Sequence, residues 1–412
     1  SCADPAFDTV SPGDLYSAPS TGSLYESYTN NGARVANFSW GSDNNTYGVH
    51  ATDIDNFINT YPDAMVFCSA GNYGLDEDPP DGIPDEGSLG STANTKNGLA
   101  IGASNAPNDL GAGGEEDDRF YFSSLGPTGV GNRVAPQLMA PGNEDGGGDM
   151  GLASEFGCRS SDNTSDNPVE CDITSGIEGT SFSSPAAAGT ALLVRDYFAQ
   201  GFYPDGTSAN PGNAVDQVAN ISGALIKTVL IGSADFMTGG RLTRNFRFNN
   251  EQGYGRIQLD NALPLENWPA SATGLIVADG GIVGGVGNLS GLDGVINATV
   301  TETDEATFEV CDTDQEMRVA LAWIEGSGTT LINDIHLELQ SPSGELYWGN
   351  YFTDDNNRNR ALDAGEDCPS IDGTAGVLDG AAWSLPTTGC VNAIRDTCLL
   401  YTSDAADEVV PV

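Results

Sequence analysis

The stretch Gly179-Thr180-Ser181-Phe182-Ser183-Ser184-Pro185, running on into Ala186-Ala187-Ala188-Gly189-Thr190-Ala191-Leu192-Leu193-Val194, decides how the rest of the chain is read. A glycine-containing turn meets a helix there, and a serine stands at the junction. Pro185 falls in the first turn, where a missing N–H matters least. The residues that follow are small, so the helix can lie close against its neighbours. A hydroxyl at a helix N-terminus has free backbone N–H groups around it and the positive end of the dipole nearby. Those surroundings suit a nucleophile whose attack creates an oxyanion. A lone Gly-Thr-Ser is more simply an N-cap serine; the longer string favours the nucleophile.

Upstream, the segments alternate between strand and helix. Ala33–Gly41 reads as a short strand ending in Ser39-Trp40-Gly41. Ile54, Phe57 and Ile58 fall at helical spacing and predict a helix around 51–58. The apolar run Ala64–Ser69 leads straight into Ala70-Gly71-Asn72, and Gly98–Ala103 reads as another strand. Short apolar strands separated by helices argue for a parallel sheet covered by helices. Sites in such sheets collect at the carboxyl ends of strands, where Gly41 and Asn72 fall. Gly223–Leu230 reads as a second apolar segment behind the serine.

In order along the chain stand Ser39-Trp40-Gly41, Ala70-Gly71-Asn72, Phe122-Ser123-Ser124-Leu125-Gly126-Pro127, Ala140-Pro141-Gly142, the serine string, and Gly253-Tyr254-Gly255-Arg256-Ile257. This ordered set, over roughly 31–262, resembles the subtilisin-like serine proteases. The resemblance implies an α/β catalytic domain over residues 1–265 and protein or peptide substrates. It implies that Ser181 attacks the scissile carbonyl, while its own N–H and the Asn72 amide hold the oxyanion. Ser39, Trp40, Gly41, Ser69, Ala70 and Gly71 would then wall the substrate cleft, with Gly179 and Thr180 beside the nucleophile. The sedolisin-like family shares Gly-Thr-Ser but places an Asp at the oxyanion position, so Asn72 argues against it.

The same resemblance exposes a gap. The family order is Asp, then His within His-Gly-Thr-His, then Ser, with both earlier motifs ahead of the Ser-x-Gly strand. The chain has 2 histidines. His50 lies behind that strand without the motif around it, and His336 lies far downstream. The expectation is a catalytic domain lacking the segment with the Asp and His motifs, and therefore nearly inert as it stands. A binding or adhesion protein on a decayed protease scaffold is the alternative from another class.

Composition narrows the setting. With 15 Lys+Arg against 59 Asp+Glu the net charge is −44 over 412 residues. Such a surface repels nucleic acid and anionic membranes and fits a secreted protein in a salty medium, expected as a monomer. No apolar run reaches the roughly 20 residues of a membrane span. Of the 8 cysteines, Cys158 and Cys171, and again Cys368 and Cys390, bracket polar loops at disulfide-like spacing, which points to an oxidising, extracellular compartment. Cys68 lies in an apolar strand and reads as a buried free thiol. Asp76, Asp78, Asp81 and Asp85 crowd the loop just behind Asn72. Their spacing misses an EF-hand register by one residue, leaving structural calcium and a solvated acidic loop both open.

Beyond the glycine-rich stretch 278–291 the pattern changes to period two, as in Met317–Trp323 and Ile335–Leu339. Alternation with turn signals such as Ser341-Pro342-Ser343-Gly344 predicts an antiparallel β-sandwich over 275–397. It resembles the jelly-roll-like domain that follows some bacterial catalytic domains of this family. Asn333-Asp334 reads as a turn rather than a calcium pair. The string Cys398–Glu408 resembles a translated sequencing-library adapter, so residues 398–412 are expected to be a non-native tail.

Overall fold

The computed structural model describes residues 23–75, 84–106, 117–142, 178–207, 221–239, 248–268, 274–279 and 317–330. It also describes short strands at 154–155, 173–174, 338–340, 346–348 and 398–403 and isolated positions between these segments. Helix α1 (Leu24–Asn31) opens the described fold, with Ser23 Oγ accepting the Glu26 N–H at 3.1 Å and Gly32 closing it at φ 73°. Strand β1 (Val35–Phe38), helix α2 (Val49–Thr60), and strands β2 (Met65–Ser69), β3 (Leu99–Ser104) and β4 (Leu138–Pro141) follow. The four strands form one parallel sheet in the order β1-β2-β3-β4. The expected parallel sheet covered by helices is therefore present.

Period-two alternation in the central strand sorts the core into two layers. Val66 and Cys68 face α2, joining Phe38, Ile54, Phe57 and Ile58. Met65 and Phe67 face the opposite way, toward helices α3 (Thr180–Ala199) and α4 (Gly223–Ser233). Two short strands, β5 (Ser154–Glu155) and β6 (Ile173–Thr174), pair antiparallel ahead of α3. Ala187, Ala191 and Val194 are buried against the sheet, so the small residues of α3 let it cross all four strands. Cys68 is a fully buried free thiol, and that burial pushes its pKa up. Cys158, Cys171, Cys368, Cys390 and His336 lie outside the described residues.

Farther along, β7 (Met317–Ala322) packs on α4, and its Ala320 and Ala322 join the α3/α4 core. It pairs antiparallel with β10 (Cys398–Ser403), while β8 (Glu338–Gln340) pairs antiparallel with β9 (Leu346–Trp348). Just past β7, the Asn97 side chain bonds both backbone groups of Glu325: its Nδ2 donates to the carbonyl at 2.7 Å and its Oδ1 accepts the N–H at 3.0 Å. Lys96 Nζ lies 2.6 Å from Glu325 Oε1, with both side chains at 0% exposure. Lys227 is buried too, donating to the Lys96 carbonyl at 2.9 Å. Those are the chain's only lysines.

Asp55, inside the apolar face of α2, is fully buried. It accepts from Tyr47 Oη at 2.7 Å, Thr95 Oγ1 at 2.5 Å, and the N–H groups of Lys96 and Asn97 at 2.9 Å each. Tyr47 Oη in turn accepts the Gly328 N–H at 2.9 Å. A carboxylate so surrounded fixes the 95–97 turn and, through Tyr47, the segment after β7.

Removing one partner of the buried pair leaves the other charge stranded in the core. Lys96→Met or Glu325→Gln should each cost about 3–5 kcal/mol, whereas Lys96→Met/Glu325→Leu should cost clearly less than the sum. Urea denaturation of the three variants measures this. A second outcome concerns alkali. Burial is the first cause raising the phenol pKa values of Tyr47, Tyr197 and Tyr203. The neutral phenol is thus favoured in the fold, so this stability is complete below the unfolded value of about 10 and is lost as pH rises toward the folded values. Tyrosinate absorbance and circular dichroism should change together above that pH; phenols titrating normally in a folded protein would contradict it.

Candidate active site

Ser181 is the second residue of α3, and its hydroxyl donates to the Ser39 carbonyl at 3.1 Å, just past the end of β1. The Ser39 hydroxyl donates back to the Ser181 carbonyl at 2.7 Å. Asn37 and Ser184 extend the contact: Asn37 Nδ2 donates to Ser39 Oγ at 2.8 Å, and Ser184 Oγ donates to Asn37 Oδ1 at 2.6 Å. The first turn of the helix is therefore bolted to one strand end by side-chain and backbone bonds. The motif reading passed over Asn37, a strand residue with no motif of its own.

Asn72 stands past the end of β2. Its Oδ1 accepts both the Thr180 N–H at 2.9 Å and the Thr180 hydroxyl at 2.8 Å. Two donors on one oxygen settle which way the amide points, leaving Nδ2 free to turn toward the serine. A Cβ built on Gly179 would sit 3.4 Å from Asn72 Nδ2 and 3.6 Å from Ser181 N, so the two nitrogens flank one small space. Gly179 adopts φ 149°, which side chains rarely tolerate, and it leaves that space open. Two N–H donors converging on one point can hold a negative oxygen.

The loop carrying Asn72 is braced from below. Ser124 Oγ accepts the Tyr73 N–H at 3.1 Å, and the Ser124 N–H donates to the Gly71 carbonyl at 3.0 Å. A Cβ at Gly71 (φ 117°) would come within 2.7 Å of Ser124 Oγ. Beneath lies the Arg119 guanidinium, which donates to the carbonyls of Gly74, Tyr121 and Ser123 and pairs with Glu251 at 3.2 Å. Neither bracing role was visible from spacing, although Ser124 belongs to the Phe-Ser-Ser motif.

The remaining sequence-predicted residues divide by burial. Ser39, Trp40 and Gly41 are partly to fully exposed, with Thr92 Oγ1 donating to the Trp40 carbonyl at 2.9 Å. Ser69 and Ala70 are buried, and the Ala70 carbonyl accepts the Gly90 N–H at 2.7 Å. Thr180 is 1% exposed, which makes it the orienter of Asn72. His50 stacks edge-on to Trp40, with ring centroids 5.1 Å apart, and places Nδ1 3.5 Å from Ser91 Oγ. Of the acidic loop, Asp76, Asp78 and Asp81 lie outside the described residues. The Asp85 N–H donates to the Leu75 carbonyl at 3.0 Å, closing the base of that loop beside Asn72. Among the described residues no helix is long and apolar enough to cross a membrane.

Comparison with known proteins places the chain in a family. The model of the subtilase family (peptidase S8) matches residues 7–255. Among curated proteins, the chain is 28% identical over 244 residues to the serine protease/ABC transporter B family protein tagA of Dictyostelium discoideum, covering 56% of this chain and 12% of that one. It is 28% identical over 161 residues to tagB of the same organism, covering 37% of this chain and 8% of that one. The chain thus spans a small fraction of the curated relatives it matches. Among solved structures, the self-cleaved protease domain of PatA is 18% identical with a TM-score of 0.33, covering 57% of this chain and 63% of that one. With the family model matching more than half of its length, the chain belongs to the subtilase family.

Proposed function

We propose that this is the nucleophile-bearing part of a serine endopeptidase that cleaves peptide bonds through an acyl-enzyme on Ser181. The observation that carries the reading is the pair of bonds from Thr180 to Asn72 Oδ1. They aim the neutral amide of Asn72, with the Ser181 N–H, at the place where attack on a carbonyl would develop negative charge. Ser181 Oγ attacks the scissile carbon, and the oxygen that becomes anionic takes both N–H donors. Because those donors are fixed beforehand, no reorganisation is needed as the charge appears. A substrate strand lies along Ser39–Gly41, using backbone bonds for affinity and the space by Trp40 for choice. Ser69–Gly71, whose Ala70 and Gly71 backbone groups are already bonded within the fold, backs the cleft.

The proton on Ser181 needs a base. In this structure it is donated to a backbone carbonyl, and His50 is engaged with Trp40 and Ser91. The 412-residue chain alone is therefore proposed to keep only the residual rate of oxyanion hole and binding. The same fact favours a second reading, a binding scaffold that has lost its chemistry. We place the protein outside the cell as a monomer, on the charge balance and the disulfide-like spacing, with a β-sandwich after the catalytic domain, on the period-two alternation beyond residue 291. Calcium in the loop behind Asn72 is proposed as a structural brace only.

The protein encoded by the complete gene, treated with a fluorophosphonate probe, should be labelled at Ser181 and cleave peptides, and Ser181→Ala should abolish both. Asn72→Ala should lower kcat by about 10²–10³ with KM little changed. A folded protein that neither labels nor cleaves would leave the scaffold reading. For the metal, calcium should raise Tm, and an Asp76→Asn/Asp78→Asn/Asp81→Asn variant should lose that rise. A Tm indifferent to calcium and chelator would remove the site.

A further inference from the structure

Across Ser181 from the Ser39–Gly41 wall, three side chains around the Asn72 loop have no part in the chemistry above. Glu178 is exposed and stands three residues before the nucleophile. Its only hydrogen-bond partner among the described residues is the Tyr121 hydroxyl, which donates to Oε1 at 3.0 Å. The Tyr121 ring is 51% exposed, and Tyr73, directly after Asn72, is 46% exposed. The two tyrosine segments run side by side, because the Gly74 N–H donates to the Phe122 carbonyl at 2.9 Å.

The guanidinium beneath the two tyrosine segments pairs elsewhere than with Glu178. Arg119 is 4% exposed at its side chain, pairs with Glu251 and spends its other donors on carbonyls beneath the two tyrosines. That guanidinium holds the tyrosine-bearing backbone in place, and among the described residues no cation pairs with the Glu178 carboxylate. The bond to Glu178 is also the first cause raising the Tyr121 phenol pKa, so the phenol stays neutral and donating. A carboxylate held by one exposed tyrosine, with a second exposed tyrosine on the adjoining segment, is a complementary environment for an extended cationic side chain.

We infer that Glu178, Tyr121 and Tyr73 form a subsite that takes an arginine or lysine side chain just on the amine side of the scissile bond. The inference rests on the peptidase reading, which sets the acyl side against Ser39–Gly41 and so sends the leaving amine past Asn72 and Glu178. Three observations carry it together: the uncompensated carboxylate, the two half-exposed rings, and their shared anchorage on Arg119.

The test uses the protein of the complete gene and peptides identical except for the two residues after the scissile bond, Arg-Arg, norleucine-norleucine or Glu-Glu. Two readouts are taken: kcat/KM in the active protein, and peptide binding to its Ser181→Ala form. At low ionic strength the Arg-Arg peptide should exceed the norleucine peptide by about three- to tenfold in both. Glu178→Gln should remove that difference and Glu178→Lys should reverse it toward Glu-Glu. Asp196→Asn, about 22 Å along the same helix, should leave it intact and so separates a local subsite from attraction by the acidic surface as a whole. Preference surviving in Glu178→Gln, or falling as much in Asp196→Asn, would overturn the subsite. Binding that depends on Glu178 in a protein that never cleaves would keep the subsite and sink the peptidase. Cleavage indifferent to Glu178 would do the reverse.

Discussion

The contact between the first turn of α3 and the ends of β1 and β2 is the constraint on which the site depends. Thr180 reaches Asn72, Ser181 reaches Ser39, and Ser184 reaches Asn37, all within five residues of helix. Such contacts need the helix axis close to the sheet, and bulky residues in its first turns would hold it off. Ala187, Ala188 and Ala191 keep it near, and Gly179 supplies a backbone angle that lets the chain turn into the helix without filling the space by Asn72. A helix and two strands far apart in sequence thereby bring polar groups at and just past the strand ends within hydrogen-bond reach of the helix's first turn.

The charge balance poses a problem that the interior answers in its own way. With a net charge of −44, the folded state bears considerable self-repulsion, which dissolved salt screens. Yet neither lysine is on the surface to offset it. Lys96 neutralises Glu325 in the core, and Lys227 caps carbonyls at the start of β3. A flexible ammonium stem suits both duties, since it can reach several acceptors from a buried root. The arginines near the surface act as braces instead: Arg34 binds Asp63 at 2.6 Å while lying over the Tyr28 ring, and Arg318 ties β7 to Asp235.

The segment after β7 shares this logic. Glu325 accepts Lys96, and its oxygens also accept the N–H groups of Ile332 and Asn333, so one carboxylate holds a turn closed and anchors it to the sheet layer. Asp334, the other half of the pair read as a turn, lies outside the described residues. Through Asn97 and Asp55 the anchorage continues to the 92–97 turn, and Thr92 supports the Trp40 carbonyl. Residues more than two hundred positions downstream are thus tied by hydrogen bonds to the segment that carries Trp40.

Most of the sheet, helix α2 and the helix start at Ser181 were legible because each leaves a local trace. β2 and β3 are short apolar runs, α2 carries Ile54, Phe57 and Ile58 at helical spacing, and Ser181 sits in a string whose glycine, proline and alanines each have a backbone reason. Other features have no such trace. Asp55 interrupts an apolar helix face with a charge, and Lys227 does the same in α4; alone, each looks like an error in the pattern. Only when the turn at 95–97 and the segment after β7 fold over them do their partners arrive. The orientation of Asn72 likewise depends on Thr180, which is 108 residues away in the chain. The sequence by itself determined the strands β1 to β3, helix α2 and the serine at a helix start, since backbone preference and apolar period are local properties; β4 and the helical state of α4 were not read from it. Tertiary structure alone decided which buried charges are paired, which way the amide faces and which tyrosines stay open beside Glu178, because hydrogen bonds and burial depend on groups that only folding brings within 3 Å or so.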